Sequence, residues 1–340
     1  MKNVNKFIKS VLPMRFHTPL AQFCKIFFII RFYWRDFRHL FIPVKDRITL
    51  YYSLRGNIIK NYHRLEKALA SPEFIPGRGL RAASDLLVAL SKYSSKGFDT
   101  SEIQVIVAVS VLEQFLALQV KNDETIKLNS RLQKIRGECA LPLSNSSQKI
   151  GGVIKSVDRI DLSSDSEFEN LCFKRHSVRY FSNDKVQPDM IARAVEIAQR
   201  TPSVCNRQGW HVFSITNNEI LSIFRKIHKG FASKDQNLST LLLICFSKST
   251  FSFPEERNQG FIDGGLFSMS LIYALTDLGL ATCPLNSNIS FTSEKKLRSV
   301  MNLSKEYGLV MFIAVGHPND ANISPISVRD TAASKITYID

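Results

Sequence analysis

The chain has 340 residues, enough for two domains, and 44% of them are hydrophobic, which is enough for a packed core. Its six cysteines are scattered without a CxxC pair, which argues against a zinc site, a thioredoxin-type motif or a disulfide scaffold and suits a reducing cytoplasm. A formal net charge of +15 favours an acidic partner, such as anionic lipid, nucleic acid or an anionic substrate.

The positive charge is concentrated in the N-terminal part of the chain. Residues 1–50 contain ten Lys/Arg and two Asp/Glu, whereas residues 166–340 contain 19 Lys/Arg and 16 Asp/Glu. The apolar run Ile26–Ile30 is far too short to span a bilayer. The aromatic and basic stretch 23–42 could be an interfacial membrane helix, or an amphipathic helix packed on the protein. We expect a cytoplasmic location, with peripheral contact between residues 1–45 and an anionic inner membrane face as an open alternative.

The first half of the chain has the spacing of helices. Apolar positions recur at three- and four-residue steps over 46–70, and further helices are predicted over 78–93, from Thr100 or Ser101 to Val120, and over 122–136. The segment 143–165 is rich in Ser, Gly and Asp, which is typical of a linker. The sequence therefore predicts a basic, all-α N-terminal domain at 1–142, a linker at 143–165 and a second domain at 166–340.

Helix and strand patterns alternate in the second domain. Helices are predicted at 188–200, 218–228, 263–278 and 293–301, and strands at 211–216, 240–246 and 309–315, with a short segment around Thr282. Such alternation indicates an α+β fold with a mixed sheet flanked by helices.

A cationic run, Lys174 to Arg179, opens this domain. Arg175 and Arg179 can bind a phosphate by paired hydrogen bonds, and Ser177 adds a hydroxyl donor. In an extended segment the three residues would lie on one side, because side chains alternate. On its own the run could also be a solvated charge cluster, which is the commoner case.

A polar loop, Thr201 to Trp210, follows the first helix of the domain. It contains Ser203, Asn206 and Gln208 and ends on a tryptophan before a strand. Taken alone, it could be a helix end followed by a turn.

The order and spacing of these two stretches resemble the FMN-dependent nitroreductase family. KRHSVRYF resembles its RxSxR-type run, and TPSVCNRQGWHVF resembles its PSxxNxQPW-type loop, with Gly209 where proline is usual. The resemblance covers about residues 168–340. It continues in Asp263-Gly264-Gly265 with the Leu278-Gly279-Leu280 helix ending, in the loop Pro284–Ser287, and in the turn Val315–Pro318.

The resemblance implies a sandwich of sheet and helices that works as an intertwined homodimer, with FMN at the subunit interface. Residues 175–179 and Arg329 would serve the FMN of their own subunit, residues 202–206 that of the partner, and residues 335–340 could reach the other subunit's sheet. Gln236 or Asn237 could contact the flavin pyrimidine. The implied FMN contacts are Arg175, His176, Ser177, Arg179, Pro202, Ser203, Val204, Cys205, Asn206, Pro284, Leu285, Asn286, Ser287, Ser327 and Arg329.

The same resemblance implies an FMN-dependent oxidoreductase. Hydride would pass from NADH or NADPH through flavin N5 to a second substrate, with backbone N–H groups near Asn286 and Ser287 at N5. No amino-acid nucleophile, general acid or base, or metal is needed. Cys205 could be a redox thiol, although a small packing residue is the simpler interpretation.

The second substrate stays open at this stage. It could be a saccharide precursor, a quinone or a nitroaromatic compound, and a dehydrogenase of peptides or natural products or a flavin-consuming enzyme are related alternatives. From another class, a flavin-binding scaffold could dock on an anionic membrane through the basic N-terminus with little NAD(P)H turnover. No nucleic-acid partner is expected.

The helical N-terminal half is not usual in this family. In its most distinctive stretch, YHRLEK, Tyr62 and Glu66 share one helical face and His63 and Lys67 a neighbouring one. These four residues could bind substrate, or form an ordinary helix with an i,i+3 ion pair. The segment also resembles one in proteins of bacterial surface-polysaccharide gene sets, which suggests polysaccharide biosynthesis without fixing a substrate.

Overall fold

The computed structural model describes residues 26–27, 30, 33–34, 47–138, 150–155, 165–228, 237–251, 254–319 and 323–339. The chain forms two compact units. The helical unit comprises Val44–Ser166 and Asn319–Asp340, and the sheet unit contains Glu167–Pro318. Within the described ranges, no helix has both the length and the apolar character needed to cross a bilayer.

The helical unit is built on α1 (Arg47–Leu69), α2 (Leu80–Ser95), α3 (Ile103–Ala117) and α4 (Asp123–Glu138). Both α1 and α4 pack on α2 and α3. Buried side chains such as Ile58, Leu87 and Leu112 form one apolar core, as the three- and four-residue spacing predicts. The start of α3 differs from the prediction, because Glu102 has non-helical angles of φ −57° and ψ 133° and the helix begins after it.

Two short strands complete this unit. β1 (Val153–Lys155) pairs antiparallel with β6 (Ile323–Pro325), and Val328 packs against the helical core. β1 lies inside the segment expected to be a linker. The structure also groups residues 319–340 with the helices, whereas the sequence-based division placed them in the second domain.

A polar network joins the C-terminal segment to the helices. Glu102 pairs with Arg55 and accepts hydrogen bonds from Tyr93 Oη at 2.6 Å and Tyr51 Oη at 3.1 Å. Arg55 Nη2 also donates to Asp330 Oδ1 at 2.6 Å. Buried polar groups are stabilising only when paired, so the network fixes this segment against α1 and α3.

Asp330 is the most heavily bonded residue of that segment. It accepts from Lys335 Nζ at 2.5 Å, from Gln104 Nε2 at 2.8 Å and from Arg55. The hydrogen bond from Lys335, with those from Gln104 and Arg55, lowers the pKa of Asp330 to about 2 against the opposing effect of burial.

The sheet unit contains an antiparallel sheet in the order β2-β3-β5-β4. Its strands are β2 (Trp210–Ile215), β3 (Thr240–Ser247), β4 (Ala281–Asn286) and β5 (Tyr307–Gly316). Its helices are α5 (Glu167–Lys174), α6 (Pro188–Ala198), α7 (Asn218–Ile227), α8 (Gln259–Asp277) and α9 (Phe291–Val300). A parallel bridge from Ser177 to Thr282 makes the sheet mixed, and the predicted α+β class is confirmed.

Helices cover both faces of the sheet. Leu241 and Leu243 of β3 share a core with α7 and α9, while Leu242 and Ile244 share the opposite core with α6 and α8. This burial on both faces explains why β3 is an unbroken apolar run in the sequence. The long helix α8 begins four residues before its predicted start. At Gly264 a Cβ would lie 2.6 Å from Val310 Cγ2, so glycine allows α8 to lie close against β5.

The lowered pKa of Asp330 predicts a pH-dependent contribution to stability. The carboxylate stabilises the folded state above its unfolded pKa of about 3.9, and this contribution is lost as pH falls toward about 2. Asp330→Asn should therefore lower the free energy of unfolding by about 1–2 kcal/mol at neutral pH, with a shrinking difference below pH ~4. Denaturation followed by far-UV circular dichroism measures it. Asp85→Asn, on the exposed side of α2, is the control, and a difference independent of pH would contradict the assignment.

Candidate functional site

The cationic run is held on the edge of the sheet. Arg175 N–H caps the end of α5 by donating to Leu171 O at 3.0 Å, and the chain then becomes extended. Ser177 bridges to Thr282 of β4, and Val178 N–H donates to Thr282 O at 2.9 Å. Val178 is buried in the core under the sheet, so strand alternation places the side chains of Ser177 and Arg179 on the opposite side from that of Val178.

Arg179 has the features of an anion ligand. Its Nε is buried and makes no hydrogen bond within the described part of the chain. The hydroxyl oxygen of Thr282 is likewise buried and makes no hydrogen bond within those residues. A buried donor on a charged group without an acceptor is costly, and a phosphate oxygen would satisfy it. His176 is differently placed, since its Nδ1 lies 2.9 Å from Lys174 O.

The loop Pro284–Ser287 is the end of the same edge strand. Antiparallel pairing of Cys283 and Leu285 with β5 directs the backbone N–H and C=O groups of Thr282 and Asn286 to the outer edge. The contact of Asn286 O with His228 Nε2 at 2.9 Å is consistent with that direction. The cationic run and this loop are thus brought together by β4.

The polar loop after α6 has an unusual backbone. Cys205, Asn206 and Gln208 have φ of 50°, 53° and 48°, in the left-handed region that few non-glycine residues adopt. Ser203 Oγ accepts from Gln208 N–H at 2.9 Å across the loop. Cys205 is exposed at this position, which does not fit the simpler interpretation of a packing residue.

Buried and paired groups outside the loop hold it in place. Asp263 of α8, 2% exposed, accepts from Val204 N–H at 3.3 Å and from Gln259 Nε2 at 2.8 Å. The Arg207 guanidinium pairs with Glu256 and donates to Thr250 O at 2.9 Å. The pKa of Arg207 is raised, mainly by its hydrogen bond to Glu256.

Gly209, which stands where proline is usual, lies close to the side chain of Thr250. A Cβ there would lie 3.0 Å from Thr250 Cγ2 and 3.2 Å from Thr250 Oγ1. Trp210, which follows it, stacks on Phe267 with 4.8 Å between ring centroids and donates from Nε1 to Gln199 Oε1 at 3.0 Å.

The cationic run and the polar loop contact α8 at different points along the helix. Cys172, just before the cationic run, donates to Tyr273 Oη at 3.3 Å, while Val204 is bound to Asp263. Ten residues of helix separate Asp263 from Tyr273, about 15 Å along the axis.

Other predicted site residues have local partners. Ser327, with φ 56°, and Arg329 belong to the helical unit, where Arg329 Nη1 donates to Ser327 O at 2.5 Å. Asn237 Nδ2 donates to Phe181 O at 3.2 Å, and Gln236 lies outside the described residues.

The YHRLEK residues are mostly internal to the helical unit. Tyr62 is buried and its hydroxyl donates to Gln104 Oε1; burial raises its pKa to about 12. Glu66 is 1% exposed, with Oε2 3.4 Å from His63 Nδ1, and within the described residues its Oε1 has no hydrogen-bond partner. Lys67 is half-buried.

Two supporting residues, His228 and Glu256, were missed from the sequence. A third, Asp263, was recognised within the Asp263-Gly264-Gly265 motif, but its hydrogen bonds were not predicted. Its partners are 4 and 59 residues away, which local patterns do not show.

Comparison with known proteins finds a family match within the sheet unit. Residues 173–244 match the model of the Nitroreductase family. The matched segment is about a fifth of the chain. It includes both the cationic run and the polar loop, so the predicted resemblance is confirmed there. At the level of the family, the match also confirms the predicted class, a flavin-dependent oxidoreductase using FMN and a nicotinamide electron donor.

Individual relatives are distant. A protein of Archaeoglobus fulgidus assigned as an NADH dehydrogenase/NAD(P)H nitroreductase is 20% identical over 152 residues, 44% of this chain and 84% of the relative. A structure from Desulfovibrio desulfuricans, assigned as a nitroreductase in complex with FMN, is 15% identical with a TM-score of 0.45, covering 52% of this chain and 99% of that one. The structure of a nitroreductase-like protein from Streptococcus mutans is 19% identical with a TM-score of 0.44, and the match covers 51% of this chain and 98% of that one.

The anchoring of the polar loop can be tested at Asp263. Asp263→Ala removes the acceptor of Val204 N–H, and a hydrogen bond to a charged group contributes roughly 1.5–3 kcal/mol. Amide hydrogen exchange at Val204 should therefore become at least about tenfold faster. Asp277→Ala, at the exposed end of the same helix, is the control. Unchanged exchange at Val204 would show that Asp263 does not hold the loop.

Proposed function

We propose that the protein is an FMN-dependent oxidoreductase that transfers hydride from NADH or NADPH through flavin N5 to a second substrate. The observation that carries the proposal is the buried Nε of Arg179, which makes no hydrogen bond within the described residues. Arg179 belongs to the segment that matches the family and follows the Ser177–Thr282 bridge. A phosphate at this place would satisfy the guanidinium.

The proposed roles follow from the geometry of the sheet edge. Arg175, Ser177 and Arg179 bind the FMN phosphate, and the turn at Asn286 and Ser287 presents backbone N–H to the reactive edge of the ring. FMN, when bound, supplies the electron-accepting ring. The protein contributes position, donors aimed at developing charge, and exclusion of water.

Phosphate recognition gives a direct test. Arg179→Ala should weaken FMN binding by about tenfold to hundredfold, because a charge-assisted bidentate contact is lost. Riboflavin, which lacks the phosphate, should bind wild type and variant equally. Arg193→Ala, which removes an exposed ion pair with Glu196, is the matched control. An equal loss of FMN and riboflavin affinity would contradict the assignment of Arg179 to the phosphate.

Electron transfer is tested separately. Under anaerobic conditions, NADH or NADPH should bleach the 450-nm-region flavin absorbance of the holoprotein within seconds, as expected for ordinary turnover of ~1–1,000 per second. A stably bound but unbleached flavin would favour the scaffold instead. A protein that takes up no FMN would contradict both.

We propose further that the protein is a homodimer in which residues 202–206 contact the partner's FMN. In support, α8 has a row of exposed apolar side chains, Phe261, Ile262, Leu266 and Met269, 36–54% exposed. Gly265 lies among them, and a Cβ there would meet nothing within 4 Å, which leaves room for close helix packing. The separation of about 15 Å between the two stretches along α8 is compatible with their serving different FMN molecules.

The dimer predicts a specific disruption. Leu266→Arg should give monomers in sedimentation velocity and release FMN, because a charge would be buried in an apolar contact. Leu118→Arg, on an equally exposed position of the helical unit, should leave the mass unchanged. A monomeric wild type that binds FMN tightly would contradict the shared site.

The helical unit is proposed to select the second substrate through Tyr62, His63, Glu66 and Lys67. Its support is the buried Glu66 Oε1, which accepts no hydrogen bond within the described residues and would be satisfied by a hydroxyl or amine. Saccharide precursors for surface-polysaccharide biosynthesis carry such groups.

Turnover assays with quinone, nitroaromatic and nucleotide-sugar acceptors test the class of the second substrate. Glu66→Gln should raise the KM only for an acceptor bound there.

Membrane docking is the second candidate, and one observation favours it. Residues 26–27, 30 and 33–34 are helical, and their apolar side chains, at three- and four-residue steps, are 54–60% exposed in a strongly basic segment. We propose a cytoplasmic protein that contacts the inner membrane face there.

Co-sedimentation with phosphatidylglycerol vesicles should fall in the double variant Phe27→Glu with Trp34→Glu. Equal binding by this variant, or none by wild type, would contradict docking.

A further inference from the structure

His228 lies directly behind the proposed flavin-facing turn. It follows the last residue of α7, is 4% exposed, and stacks on Phe224 with 5.1 Å between ring centroids. Its Nε2 is 2.9 Å from the backbone oxygen of Asn286, 58 residues away in sequence. The ring is therefore packed in one orientation, with its outer nitrogen against β4.

The chemistry of this contact fixes the imidazole tautomer. A carbonyl oxygen can only accept a hydrogen bond, so Nε2 must carry the proton and donate. His228 is thus a donor to the Asn286 carbonyl in its neutral as well as its charged form.

The bonded carbonyl belongs to the same peptide group as the Ser287 N–H. A hydrogen bond accepted by a peptide oxygen polarises the group and makes its N–H a stronger donor. The described hydrogen bonds of Ser287 use its carbonyl, from Ile289 N–H at 2.8 Å, and its hydroxyl, toward Leu309 O at 3.5 Å. Its N–H takes no part in them.

A second contact restrains the turn. Asn288 N–H donates to Asn286 Oδ1 at 3.0 Å, and the pairing of Asn286 with Met311 ends the β4 ladder just before this peptide. The hydrogen bond from His228 acts on the Asn286 carbonyl itself, and it therefore opposes rotation of the Asn286–Ser287 peptide from outside the ladder.

We infer that His228 is a positioning residue for the flavin reaction. It orients and polarises the Asn286–Ser287 peptide, so that this peptide's N–H is presented to flavin N5 as a strengthened donor. The inference rests on the proposed flavin site and adds to it the residue that sets donor strength at N5. His228 itself touches neither cofactor nor substrate.

The first test needs neither a variant nor FMN. Ring nitrogen-15 chemical shifts of His228 in the wild-type full chain report the tautomer. The expected result is a protonated Nε2 across neutral pH. A neutral ring protonated on Nδ1 alone would overturn the inference, because Nε2 could not then donate to Asn286.

The second test compares two substitutions in the holoprotein. His228→Gln retains an amide donor near the Nε2 position, whereas His228→Phe keeps a ring between Phe224 and Phe312 without a donor. With FMN labelled with nitrogen-15 at N5, the N5 resonance should shift toward its non-hydrogen-bonded value in H228F and stay near wild type in H228Q. Flavin reduction by NADH should be about threefold slower in H228F, with the FMN Kd within about twofold of wild type.

The outcomes separate this inference from the function beneath it. FMN bound normally, with wild-type N5 resonance and reduction rate in H228F, contradicts the role of His228 alone. Failure of the wild type to bind FMN contradicts the proposed function as well. If H228F does not fold, the His228 tautomer and the N5 resonance of H228Q still test the inference. A protonated Nε2 together with a wild-type N5 resonance in H228Q is the expected result. A shifted N5 resonance in H228Q would count against the inference.

Discussion

The backbone pairing of residues 177–178 with Thr282 is the contact on which the candidate site depends. Through it, an extended basic segment becomes an additional element on the edge of the sheet. The same edge strand ends in the turn that carries Asn286. The proposed phosphate ligands and the proposed donors to a flavin ring are thereby both attached to one strand, β4, which positions groups better than independent loops would.

The groups that hold the site are different from the groups that form it. The polar loop takes left-handed backbone conformations, and a buried carboxylate, Asp263, and the pair Arg207–Glu256 offset their cost from outside. The turn at β4 is likewise supported by the ring of His228. The cationic run and the polar loop therefore mark where the cofactor chemistry is proposed, while the shape of the site also depends on side chains outside these two stretches.

Sequence reasoning found what local periodicity encodes. The helices α1 to α4 and the apolar strand β3 were predicted because each buries a continuous face. It missed α5, which has eight residues, and β1 and β6, which have three each and exist only through their pairing. In the site, the two motif stretches and Asp263 were recognised, but the contacts of Asp263 with Val204 and of His228 with Asn286 span 59 and 58 residues, a distance at which local patterns carry no signal.

The polar network of the helical unit has a consequence for how that unit is made. Arg55 and Asp330 are 275 residues apart, and β6 comes almost at the end of the chain. Helices α1 to α4 leave the ribosome long before Asp330 exists, so Arg55 and Gln104 have only their partners within the helices, Glu102 and Tyr62, while residues 167–318 are synthesised. Contacts this distant in sequence are slow to close. The helical unit can therefore complete this network only after the intervening residues 167–318 have been synthesised.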